Sequence, residues 1–300
     1  MKFSATPKRA LRGVKFESAG IAGSLLGIGQ VSEPGAGRCV RGGRTSYDGG
    51  VDERTTLAVD CGGSGIKAST LDAAGTMRAP ALRLTTPYPL PPDRLVSVIA
   101  ELAAQLPAAD RITVGMPGML RHGVVITTPH YITEAGPRSR VLPELRAQWE
   151  GLDMAARLIA EFGLPALVLN DAEVHGAGVI TGTGLEVVLT LGTGLGSAHF
   201  DGGRLAPHLE LSRGPMRFTT YDAYIGEPER RRLGNSLWSR RVAKVVAGLR
   251  PVFVWDRLYL GGGNARLLSA RTLAELGDDV VIVPNSAGIS GGVRAWSLQW

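Results

Sequence analysis

Two short glycine-rich turns carry the first chemical signal in this 300-residue chain. Asp60-Cys61-Gly62-Gly63-Ser64-Gly65-Ile66-Lys67 places three glycines directly after an apolar run, and Leu191-Gly192-Thr193-Gly194-Leu195-Gly196 does the same further on. Glycine has no Cβ, so several backbone N–H groups can turn toward one point and approach an anion closely. That arrangement suits the holding of a polyanion such as a phosphate chain. Either turn alone is equally well an unliganded hairpin; the pair, at matching places in two repeats, is the stronger sign. A third cluster, Leu258-Tyr259-Leu260-Gly261-Gly262-Gly263-Asn264, ends another apolar run. Bare backbone there suits the flat face of a purine, or a plain strand-to-helix turn.

Spacing excludes the commoner phosphate motifs. Gly192–Gly196 resembles a dinucleotide fingerprint, but that fingerprint needs a helix after the turn. Ser197-Ala198-His199-Phe200 and then Asp201-Gly202-Gly203 predict a strand and a hairpin instead. A P-loop is absent because Lys67 follows Ile66. Thr181-Gly182-Thr183-Gly184 lacks an apolar strand before it and reads as a plain loop. The histidines at 122, 130, 175, 199 and 208 show no metal-ligand spacing. His175, one helical turn after Asp171, reads as a bystander.

The elements that must position these turns also repeat. Thr56–Asp60, the first turn, Ile66–Leu71 and an Asp72-Ala73-Ala74-Gly75 turn are echoed by Glu186–Leu191, the second turn, Leu195–Phe200 and Asp201–Gly203. Each copy is strand, glycine turn, strand, hairpin turn. Leu95, Val98, Ile99, Leu102 and Leu106 recur at helical spacing, as do Leu152, Ala155, Ile159 and Phe162. Val242, Val245, Val246, Leu249 and Phe253 predict a long core-facing helix. Further strands are predicted at Ile112–Gly115, Ala166–Leu169, Leu258–Leu260 and Val280–Val283. Two α/β lobes facing a cleft is the simplest architecture that uses the echo: a disordered tail at 1–54, one lobe at 55–170 and a second at 171–300.

Composition bounds the partners. A 44% hydrophobic, 20% charged chain is ordinary for a globular enzyme. Residues 1–54 hold nine Lys/Arg against five Asp/Glu, so most of the net +6 sits there and the body carries only +2. A near-neutral body argues against nucleic acid as partner. The cluster Arg230-Arg231-Arg232, Arg240-Arg241 and Lys244 reads as a solvated helix face, or else a track for a polyanion such as polyphosphate. Two cysteines, Cys39 and Cys61, exclude a disulfide framework and fit a reducing, cytoplasmic setting. No run approaches the roughly 18 apolar residues of a membrane span, and the basic start is a poor secretory signal. A second reading takes residues 1–50 as lying upstream of the true start, with initiation at a non-Met codon such as Val51.

Taken together, these segments resemble the ROK family of sugar kinases, and within it the polyphosphate glucokinase-like branch, over about residues 56–296. The family's phosphate motifs match Asp60–Lys67 and Leu189–Ala198, its first connecting element matches Gly115-Met116-Pro117-Gly118, and its adenosine motif matches Leu260–Asn264. Ser286–Val293 looks like its second connecting helix, where glycine allows close packing at a hinge.

The resemblance implies the actin-like ATPase (ribonuclease H-like) superfold and phosphoryl transfer from ATP or polyphosphate to a hexose, foremost glucose to glucose 6-phosphate. It further implies a homodimer. Asp171 would take the hydroxyl proton, for which a carboxylate pKa of about 4 suffices. Asn170, Pro117, Gly118, Glu210 and Arg213 would hold the sugar. Asp60, Gly62, Gly63, Ser64, Gly65, Lys67, Gly192, Thr193, Gly194, Gly261, Gly262 and Gly263 would hold the donor, with Mg²⁺ reached by Asp60 through water. On residue type alone, Asn170-Asp171 before a helix is more often an N-cap, a preference that the surrounding motif set reverses.

Departures from the family pattern fall at the sugar. Arg213 stands where the branch has histidine, bringing fixed charge and only donors, and His130 stands where asparagine is expected. Arg213 is placed to pair with Glu210 or Asp171, or to bind a charged substrate. The Cys-rich zinc site of many members is absent. The rival reading is a catalytically degenerate sugar-sensing protein; the retained Asp60, Asn170 and Asp171 speak against it, and residues 1–54 show no helix pair for a repressor.

Overall fold

The computed structural model of the protein describes residues 53–298. The tail expected over 1–54 lies outside them apart from Glu53 and Arg54, as does Cys39. Along the first lobe run β1 (Thr56–Cys61), β2 (Ile66–Leu71), β3 (Leu82–Leu84), α1 (Pro92–Ala103), β4 (Arg111–Met116), β5 (Met119–Arg121), β6 (Val124–Thr127), α2 (Pro143–Trp149), α3 (Met154–Phe162) and β7 (Ala166–Asn170). Then α4 (Asp171–Ala177) leads to β8 (Leu185–Leu191), β9 (Leu195–Asp201), β10 (Arg204–Leu205), β11 (Pro215–Met216), β12 (Thr219–Thr220), α5 (Tyr221–Ile225) and α6 (Glu227–Phe253). The chain closes with β13 (Arg257–Gly261), α7 (Ala270–Leu276), β14 (Val280–Ile282) and α8 (Ala287–Arg294).

The sequence echo becomes two five-stranded sheets of one plan. Their orders are β3-β2-β1-β4-β7 and β10-β9-β8-β13-β14. In each, an antiparallel hairpin is followed outward by two parallel strands. Strand β4 is buried along its whole length, as expected of a parallel strand covered on both faces. Local signals set the helix ends: Pro92 opens α1, the Asp153 side chain accepts the Ala156 N–H at the start of α3, and Gly163 ends α3 with φ of 65°. Ile159, part of the predicted periodic stripe, is 46% exposed, because none of the described residues covers that side of α3. Helix α6 is interrupted at Gly234, with φ of 71°; its second part carries the predicted stripe, with Val242, Val245, Val246 and Leu249 buried.

Each lobe has its own core. Leu57, Val59, Ile99, Ile112 and Trp149 pack in the first, and Val187, Leu189, Trp238, Val242 and Val246 in the second. Fully burying such an aliphatic side chain is worth about 1.5–3 kcal/mol. The two buried indoles donate to the Leu90 and Ile225 carbonyls, so neither costs an unmet N–H.

Helix α4 joins the lobes: Val174 and Ala177 pack with Val188 and Phe200 of the second sheet. Helix α8, last in sequence, returns to the first lobe, where Ile289 and Val293 pack on Ala58 and Leu71 and the Gly292 carbonyl accepts from Thr113 Oγ1 at 2.7 Å. Helices α4 and α8 cross at Gly291, where a Cβ would collide with the Val174 carbonyl. The lobes are therefore joined by two helices in direct contact, and both pass beside the cleft.

Candidate active site

One cleft of about 340 Å³ opens between the sheets. From the first lobe it is lined by Asp60, Gly62, Gly63 and Ser64 of the β1–β2 turn, by Pro117 and Gly118, and by His130. From the second come Gly192, Thr193 and Gly194 of the β8–β9 turn, Glu210, Ser212 and Arg213, Asp222, and Gly262 with Gly263. Asn170, Asp171 and His175 contribute from the β7–α4 junction. The two glycine turns thus face one space, although each is built within its own hairpin.

Three residues expected at the donor stand away from the lining. Gly65 backs onto Arg83, whose guanidinium occupies the place a Cβ would take. Lys67 pairs with Asp60, Nζ to Oδ2 at 3.2 Å. Gly261 abuts the His175 ring.

Asn170 serves both as cap and as cleft residue. Its Oδ1 accepts the Ala172 N–H at 2.8 Å, and Glu173 reaches back to the Asn170 N–H at 3.0 Å, a reciprocal capping box. Its Nδ2 donates to the Gly118 carbonyl at 2.8 Å. One N–H remains for a ligand, fewer than a free amide offers. Gly118 needs glycine here: φ is 119°, and a Cβ would strike the Thr127 carbonyl.

The Asp171 carboxyl departs from the expected value near 4. Burial, then repulsion by Asp60, raise it to about 7, with Glu210 adding and the Ala172 N–H and His208 opposing. Glu210 moves the other way. Burial would raise it, but the His208 charge, a 2.5 Å bond from Ser212 and the Arg213 charge hold it below the usual range. Burial drops His130 and His175 to about 4, so both rings are neutral at pH 7. Arg213 lines the cleft beside Glu210 with its charge acting at a distance, rather than closing an ion pair with Glu210 or Asp171.

Several cleft groups were not legible as such. Asp222, from α5, accepts the Leu195 N–H at 2.9 Å and fills the space beside Gly194. His175, read as a bystander, lines the cleft with its Nε2 unpartnered. Their only advance signal was helical phase, since both lie on short helices beside the turns. The Thr181–Gly184 loop is, as expected, no ligand site: the Glu186 carboxylate already takes its N–H groups. The Arg230–Arg241 cluster is tied down rather than simply solvated. Arg230 and Arg231 pair with Glu227, and Arg232 and Arg241 with Glu229.

Among the described residues no group of three or more His, Cys, Asp or Glu is arranged to hold a metal by itself. The cleft does fit a hard cation carried by phosphates. Two carboxylates, Asp60 and Asp171, face it closely enough to repel, and Mg²⁺ typically takes one or two carboxylates plus substrate oxygens.

A cleft between duplicated α/β lobes, with opposed glycine turns and a half-buried carboxylate, defines a phosphotransferase of the actin-like ATPase class. The sequence pattern of the ROK family matches residues 56–207, and the chain belongs to that family. The polyphosphate glucokinase of Mycobacterium tuberculosis (strain H37Rv) is 28% identical over 262 residues, covering 82% of this chain and 93% of that protein. The N-acetylmannosamine kinase of Escherichia coli (strain SE11) is 26% identical over 268 residues, covering 80% and 86%. The crystal structure of an inorganic polyphosphate/ATP-glucomannokinase from Arthrobacter sp. strain KM superposes with a TM-score of 0.67 at 28% identity, covering 81% of this chain and 99% of that one.

Proposed function

We propose that this chain is a sugar kinase of the glucokinase type. It transfers a phosphoryl group from ATP or polyphosphate to a hexose hydroxyl, with glucose to glucose 6-phosphate as the leading reaction. The observation that carries this reading is Asp171, a half-buried carboxyl, pushed up to about 7 by desolvation and by Asp60, in the same cleft as both glycine turns. A general base poised near the working pH is the most effective kind.

The donor phosphates lie between the turns, held by backbone N–H groups and the Thr193 hydroxyl. The sugar lies toward Glu210, Arg213 and the remaining Asn170 N–H, with Pro117 and Gly118 against it. As the acceptor oxygen bonds to phosphorus and the bond to the leaving phosphate oxygen breaks, the hydroxyl proton passes to Asp171. Asp60 would hold Mg²⁺, whose charge would offset that of the donor phosphates. The paired lobes exclude water that would otherwise compete as acceptor.

A cytoplasmic setting is part of the proposal: Cys61 is a free buried thiol, and no helix among the described residues is long and apolar enough to cross a membrane. The test is a matrix of ATP, GTP and polyphosphate against glucose, mannose, fructose and N-acetylhexosamines. Phosphorylation of a hexose is expected. Sugar binding with no turnover for any pair overturns the reading in favour of a sensor.

A further inference from the structure

The scheme above leaves His208 unused, although it is sealed in the protein at 5% exposure, two residues before Glu210. Its Nδ1 stands 3.1 Å from Oε1 of Glu173, itself 4% exposed. Its Nε2 faces Oε2 of Glu210 at 3.7 Å and has no hydrogen-bond partner. The other oxygen of Glu173 takes the Asn170 N–H, and the Asn170 amide reaches the Gly118 carbonyl. A continuous polar path therefore runs from Glu210 through His208, Glu173 and Asn170 to the first lobe. It passes through the cap of the helix that begins with Asp171.

We propose that His208 is a positioning residue for the acceptor. Its buried ring aims Glu210 into the cleft and ties that loop to the capped start of α4, so the sugar-holding carboxylate and the proton acceptor are set by one connected unit. This rests on the sugar-kinase reading.

Charge supports the geometry. Burial alone would strip the proton from His208, but the Glu173 bond and the charges of Glu173 and Glu210 outweigh it and pull the ring up to about 9. Asp171 on α4 is favoured as an anion by this charge. His199 on β9, the other titratable neighbour, is held neutral at about 4 by burial and by the same charge. One cation between the buried Glu173 and the half-buried Glu210 is a stable unit, whereas a neutral ring there would leave the Glu173 charge uncompensated.

The full-length protein, E173Q, H208L, H208L/E173Q and H208Q separate positioning from mere stability. Glutamine at 173 keeps the capping box and removes the carboxylate that H208L would strand. H208L/E173Q is expected to melt close to wild type, with the glucose KM raised roughly tenfold or more and the donor KM within about twofold. H208Q, which keeps a donor at similar reach, is expected to show the same split at smaller size. A wild-type glucose KM in H208L/E173Q and H208Q, or equal rises in glucose and donor KM, overturns the proposal.

Calorimetric glucose binding accompanies the kinetics, so that the two readings fail differently. Wild-type binding without turnover sinks the kinase reading alone, and the ratio of Kd values between variants then decides the role of His208. No sugar binding at all sinks both.

Discussion

In the first lobe the β1–β2 turn closes with the Gly62 N–H on the Gly65 carbonyl at 2.9 Å; in the second the β8–β9 turn closes with the Gly192 N–H on the Gly194 carbonyl at 3.0 Å. Beyond that shared closure the two are held differently. The first is tied back through its carbonyls by neutral hydroxyls, Thr86 to Gly62 at 2.8 Å and Tyr88 to Gly63 at 2.9 Å. The second is tied by Asn264 to the Gly192 carbonyl, by the Glu227 N–H to the Thr193 carbonyl, and by Asp222, which takes the Leu195 N–H. Holding a turn by its carbonyls leaves its N–H groups for an anion. Holding it through an N–H removes one donor and places a carboxyl beside the donor space. Duplicated backbone therefore does not mean duplicated chemistry, and the first turn is the better equipped for phosphate.

The largest expected effect lies between the turns, at Asp171. D171N should lose roughly 10²–10⁴-fold in kcat while glucose binding by calorimetry survives; wild-type kinetics would end the assignment. In the wild type, kcat/KM should rise with pH through about 7, because only the anion accepts a proton. The same shift has a stability counterpart. The unfolded carboxyl ionises near 3.8 and the folded one near 7. The folded state thus binds the extra proton between those values and loses stability as pH climbs from about 4 to about 7. D171N should therefore gain in melting temperature over wild type at pH 8 and show no gain near pH 4. A pH-independent difference would mean the carboxyl is not desolvated as described.

Two alanine variants sharpen the contrast within the second turn. At Gly194 a Cβ would overlap the Asp222 carboxyl, whereas at Gly192 it meets nothing within 4 Å. G194A should lower the melting temperature and raise the donor KM together. G192A should keep the wild-type melting temperature and still raise the donor KM, because its methyl intrudes only on ligand space. An unchanged donor KM in G192A would remove the second turn from the donor site. The smallest effect is expected at the tie of the first turn. T86V removes one hydrogen bond to the Gly62 carbonyl, worth about 1 kcal/mol, or a few degrees of melting temperature. A donor KM change larger than that of G192A would show that the tie, not the bare backbone, governs binding.

Much of this was legible because it is local. The hairpins around Asp60–Lys67 and Leu191–Gly196 follow from apolar strands interrupted by glycine, and their closing bonds join residues two or three apart. Asn170 was legible as a cap for the same reason: its partners Ala172 and Glu173 lie within one turn. Asp222 was not, because nothing in Tyr221-Asp222-Ala223 says that its carboxyl meets the Leu195 N–H from a later helix. Nor were Glu173 and His208 as partners, since each is unremarkable in its own segment and the 3.1 Å contact exists only after α4 settles against the second sheet.

The order of residues was enough to set the strand–glycine–strand units, their duplication and the family, since these depend on neighbours along the chain. Whether a carboxyl is acidic or poised near neutrality depends on how deeply it is buried and which charges face it. For Asp171 those are the lost water and Asp60, brought from another strand. Desolvation and Coulomb repulsion act through space, so only the packed lobes could decide them.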